Sequence, residues 1–118
     1  MTTQRRDSHS TEFGLWLRKQ PEIDSKLGYL ATNVDFLWCN YKNNLWMLIE
    51  EKRYLAVAKP WQQRLFQLLD SCCQADSNYR GFHILRFEKT SPDDGDMYWD
   101  GQIITRATLI DYLAFRKI

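Results

Sequence analysis

The stretch "NNLWMLIEEKRYL", Asn43 to Leu55, sets the tightest limit on the fold. Five apolar side chains, Leu45 to Ile49, follow a polar turn and run straight into Glu50, Glu51, Lys52 and Arg53. A short apolar run bounded by turn residues predicts a strand buried on both faces. Such a strand needs partners beside it and cover above and below, which means a sheet with helices packed on it. It also poses a chemical question, because its last residues carry four charges to the edge of the core.

The remaining segments arrange themselves around that strand. Aromatic and β-branched residues in "LGYLATNVDFLWCNY" precede the turn "YKNN", so a β-hairpin is expected, with room for a further strand near Leu27 to Ala31. Upstream, Phe13, Trp16 and Leu17 share one helical face, with Ser10 as N-cap and Pro21 as stop. Downstream, Pro60 opens a helix in which Leu65, Leu68, Leu69, Cys72 and Cys73 follow amphipathic spacing. "GFHILRFEKT" reads as a strand, "SPDDGD" as a turn and "MYWDGQIIT" as a short strand or hairpin. "RATLIDYLAFRK" closes as a helix capped by Thr105, with Leu109, Ile110 and Leu113 on its apolar face. The expected class is therefore α/β (α+β), a central mixed β-sheet flanked by helices. Residues 1–9 are expected to form a flexible tail and residues 10–118 a single domain, the size that one core supports.

Composition narrows the function classes. Hydrophobic residues make up 44% of the 118, with five tryptophans expected mainly in the core, so a packed globular chain is implied. Sixteen bases against fifteen acids give a net charge of +1, and any surface for a polyanion has to be local. No apolar run approaches the ~20 residues of a membrane helix, and "MTTQRRDSHSTE" lacks the apolar core of a secretory signal. Cys39, Cys72 and Cys73 make a poor disulfide framework, which favours a reducing cytoplasm. Zinc is not expected, since there is no CxxC and His9 and His83 lie far from any cysteine. Cys72 and Cys73 extend an apolar stripe and read as packing, and His83, within a strand, as structural.

The charges at the strand end gain meaning from the hairpin. Strand alternation sends Glu50 and Lys52 to one face and Glu51 to the other. A tight turn at Lys42-Asn43 places Asp35 opposite Glu50 and Asn33 opposite Lys52, with cross-strand Cβ atoms ~5 Å apart. Two carboxylates so close repel one another unless a cation sits between them. Mg²⁺ suits such a pair, because it takes one or two carboxylates and keeps waters and room for phosphate oxygens. In the following helix Gln62 turns toward the sheet and Gln63 away, so an amide joins the polar cluster.

An acid at Asp35, a second strand ending in Glu50-x-Lys52, and a helix that opens with Gln62 resemble the PD-(D/E)xK nuclease superfamily, which includes type II restriction enzymes and Holliday-junction resolvases. The resemblance runs from about Ser10 to Phe87 and implies an αβββαβ core, here followed by a C-terminal helix. It further implies that Asp35 and Glu50 bind Mg²⁺ or Mn²⁺, that Lys52 is the catalytic lysine, and that Gln62 is the glutamine some branches carry after the motif. Glu12, in the first helix, matches an acidic accessory position of several branches. Val34 departs from the proline that names the motif, a residue many members lack. The implied function is hydrolysis of DNA phosphodiester bonds, by a homodimer or with a partner protein that supplies specificity. A catalytically inactive module that binds nucleic acid or protein within a larger assembly is the alternative.

Overall fold

The computed structural model describes residues 11–117, so the expected tail and the candidate cap Ser10 lie outside the described residues. The chain divides into two compact units, Met1–Ala31 and Thr32–Ile118. In the first, helix α1 (Glu12–Lys19) is capped by Thr11, whose hydroxyl accepts from the Gly14 amide at 3.0 Å. Phe13 and Trp16 stack at 6.1 Å between centroids and remain exposed. The segment expected to add a strand near Leu27 forms a 3₁₀ turn, Ser25–Leu27, and then irregular chain. Gly28 closes that turn at φ 102°, a left-handed geometry that stops extended pairing.

The second unit is a five-stranded mixed sheet in the order β1 (Phe36–Asn40), β2 (Leu45–Lys52), β3 (Tyr79–Phe87), β4 (Met97–Trp99) and β5 (Gln102–Ile104). Two strands, not three, therefore precede the helix in the αβββαβ scheme, among the described residues. The hairpin turns at residues 41–44, where Asn44 takes φ 65°. Its register pairs Phe36 with Ile49 and Asn40 with Leu45, as the turn predicts. Helix α2 (Pro60–Cys73) carries the chain to β3, which lies parallel to β2, and a helical crossover is what that pairing requires. Asp100-Gly101, both at positive φ, join β4 to β5 in a tight antiparallel turn.

The two faces are covered unequally. One carries the main core: Met47, Ile49, Leu85, Phe87, Met97 and Trp99, closed by Leu109 of helix α3 (Arg106–Leu113). Thr105 caps that helix as expected, accepting from the Thr108 amide, and Tyr112 stacks on Trp99 at 4.7 Å. The other face carries Leu48, Glu50, Phe82 and Ile84 under α2, where Phe66 meets Phe82 at 4.6 Å. Tyr79 pins the far end of α2 by donating its hydroxyl to Asp70 at 2.6 Å.

Three expectations about packing fail. Phe66 is the buried residue of α2, while Leu68, Leu69 and Cys72 face outward. Ile110 of α3 is exposed, and Tyr112 and Leu113 pack in its place. Of the tryptophans only Trp99 is fully buried, and Trp16, Trp38 and Trp61 are exposed. Strand β1 is exposed along its whole length, and among the described residues no strand pairs with its outer edge.

Candidate active site

Burial of β2 answers the question its sequence poses. Met47 to Glu50 are buried, so the strand carries its first acid into the core before it emerges. Glu50 is 5% exposed and is the one buried charged side chain among the described residues. An ionised carboxylate there demands partners. Its Oε1 accepts from the Asp35 amide at 3.3 Å, and its Oε2 lies 3.4 Å from the Lys52 ammonium. Burial, followed by the neighbouring Asp35 charge, raises its pKa, with Lys52 opposing both. Glu51, on the opposite face, pairs with Arg53 at 3.0 Å.

Asp35 stands at a bend immediately before β1, at the position the hairpin register places opposite Glu50. Its Oδ2 accepts from the Glu51 amide at 2.8 Å, so the side chain closes the last rung of the ladder. Asn33, expected opposite Lys52, falls outside the paired strand, because the bend at Asp35 ends the pairing. Lys52 donates to Gln62 Oε1 at 2.9 Å, and the Gln62 amide group donates to Thr32 Oγ1 at 3.4 Å. The inward turn of Gln62 at the start of α2 thus has its partner. Gln63 instead donates to the Ala58 carbonyl at 2.8 Å.

Asp35, Glu50, Lys52 and Gln62 are therefore brought together by hydrogen bonds and one ion pair. Glu12 belongs to the N-terminal unit, where it opens α1 and is exposed. No family model, curated protein or solved structure matches this chain. The site is accordingly read on its own geometry.

The donor set fits a hard cation. Asp35 has an oxygen outside its bond to the Glu51 amide, and Glu50 brings a second, buried carboxylate beside it. No cluster of three or more His, Cys, Asp or Glu side chains occurs among the described residues, so water and substrate would complete the coordination. That is the habit of Mg²⁺, which binds through one or two carboxylates and dehydrates reluctantly.

Two participants escape the sequence reading. Thr32, which accepts from Gln62, has no periodic signal, because it lies in irregular chain. Arg86 is the parallel-strand neighbour of Lys52 and shares its face. Its position depends on the β2–β3 register, which is offset by an extra residue between the pairs Trp46–Tyr79 and Leu48–Phe82. Gly81, at φ 103°, sits within that offset. A glycine inside a strand is the local sign of such a bulge, but it does not fix the register that follows.

Proposed function

We propose that this chain is a metal-dependent nuclease that hydrolyses DNA phosphodiester bonds. Asp35 and Glu50 would hold Mg²⁺ or Mn²⁺, which when bound would polarise the phosphodiester and make a bound water more acidic. Lys52 presents its ammonium to the phosphate oxygens, or to the attacking water, and stabilises the charge that develops there. Water oxygen forms the new bond to phosphorus, the ester P–O bond breaks, and the leaving oxygen takes a proton. Gln62 is a positioning residue, since its amide oxygen holds the ammonium that would otherwise sample many rotamers. The observation that carries this reading is the meeting of a buried acid, a second acid and an oriented lysine at one end of β2.

Cutting both strands of a duplex then takes a homodimer or a partner protein that supplies specificity. Three free cysteines suit a cytoplasmic setting, and no helix among the described residues is long and apolar enough to cross a membrane. One observation favours the alternative of a non-catalytic module: β1 leaves Phe36 and Trp38 exposed on one face of the sheet, a surface suited to a protein partner.

Nicking of supercoiled DNA in Mg²⁺ or Mn²⁺ separates the two. The nuclease reading expects activity in the wild type, and a loss of about a hundredfold or more in Lys52→Ala without loss of metal binding. DNA binding that ignores metal, with no cutting, supports the inactive module.

A further inference from the structure

Beside the catalytic cluster, α2 and β3 line an open cavity of about 330 Å³. Its apolar wall is built from Val57, Phe66, Phe82 and Ile84, and its polar groups include Gln67 and Arg86. The volume falls at the lower end of the ~300–1,000 Å³ range typical of ligand clefts. Arg86 is the feature that identifies an occupant. Its Nη2 donates to the Leu55 carbonyl at 3.0 Å, and the guanidinium lies 5.9 Å from the centroid of the Tyr98 ring. Its Nε is buried without a hydrogen-bond partner, and no acid among the described residues forms an ion pair with it. Asp70, on the cavity wall, is engaged instead by Tyr79 and Gln74.

A half-buried guanidinium that lines a cavity with no acid paired to it is unfavourable, and an anion bound there would compensate its charge. Guanidinium forks match phosphate oxygens in geometry as well as charge. An apolar wall that includes the paired rings of Phe66 and Phe82 suits a flat heterocycle, with the Gln67 amide able to bond to its edge.

From these contacts we infer that the cavity is a nucleotide subsite, which takes the phosphate on Arg86 and the base against the Phe66–Phe82 wall. The identification of the ligand as part of a nucleic acid rests on the nuclease reading. Because Arg86 neighbours Lys52 on the same face, the bound unit is the one next to the phosphate under attack. A base seated in this cavity has left the helical stack, so substrates with an unpaired nucleotide at the cut are favoured.

The test is calorimetric titration of the full chain with thymidine 5′-monophosphate, thymidine and inorganic phosphate, in EDTA. The expected result is saturable binding of the monophosphate, with thymidine and phosphate each about tenfold weaker or worse. Arg86→Gln should weaken the monophosphate about tenfold or more. Val57→Trp fills the cavity from an exposed position, tests the same claim if Arg86→Gln fails to fold, and should also abolish binding. Phosphate binding as tightly as the nucleotide, unaltered binding by folded Val57→Trp, or no saturation by about 10 mM each overturns the subsite. Because no metal is present, the result is independent of cleavage. A chain that binds the nucleotide and never a metal keeps this subsite and loses the nuclease reading.

Discussion

Glu50 is held in a position that costs the metal-free protein stability, and the cost has a pH signature. Its folded-state pKa lies above the ordinary 4.5, first through burial and then through Asp35. A group with a raised folded pKa stabilises fully below its unfolded value and loses that contribution as pH rises through the folded one. At neutral pH the ionised acid therefore strains the fold, and Glu50→Gln should raise the melting temperature by a few degrees, about 1 kcal/mol. The gain should vanish as pH falls toward 4.5, where wild-type Glu50 is itself protonated. Thermal melts from about pH 4, below the ordinary glutamate range, to about pH 8 decide it. A variant less stable than wild type at every pH would mean that Glu50 serves packing rather than a ligand. The meeting of Asp35, Glu50, Lys52 and Gln62 was legible in the sequence because the hairpin register and the phase of the following helix bring them together. Thr32 was not legible, since a lone hydroxyl in irregular chain carries no pattern.

At the scale of elements, His83 shows how the β4–β5 turn is held to β3. Its Nε2 donates to the Arg80 carbonyl at 2.7 Å and its Nδ1 to Asp100 Oδ2 at 2.7 Å, which requires both nitrogens to be protonated. Burial works against that charge, but the hydrogen bond to Asp100 and the Arg80 carbonyl outweigh it and raise the pKa above 6.5. Asp100 also accepts from the Ile84 amide at 2.9 Å, so the pair ties the β4–β5 turn to the middle of β3. This stabilisation is complete below about pH 6.5 and fades as pH climbs through the higher folded value. Asp100 is half exposed, so the pair is worth only about 1 kcal/mol. His83→Gln should lose about that amount at pH 6 and almost none at pH 9, as read by denaturant melts. An equal loss at both values would assign His83 to packing against Trp99 alone, on which it stacks at 4.6 Å. The structural role expected for His83 thus holds, although nothing local predicted its acid partner, 17 positions along the chain.

Across the whole molecule, legibility followed the range of the interaction. The hairpin register was readable because a short turn fixes it, and with it the meeting of Asp35 and Glu50. The mixed sheet under helices was readable from the doubly buried β2. The apolar arc of α2 was misread because helical periodicity marks every apolar residue, whereas the sheet covers only the line through Phe66. Leu68, Leu69 and Cys72 are left outside that line. The placement of Arg86 beside Lys52 needed the β2–β3 register, which a bulge at Gly81 shifts by one residue and which no local pattern fixes.

The central claim is that Asp35 and Glu50 share one cation, and titration of Mn²⁺ into the purified chain tests it most directly. The account predicts one ion bound per chain in the wild type and in Lys52→Ala, and none in Asp35→Ala. Binding by Asp35→Ala as tight as that of the wild type would contradict it.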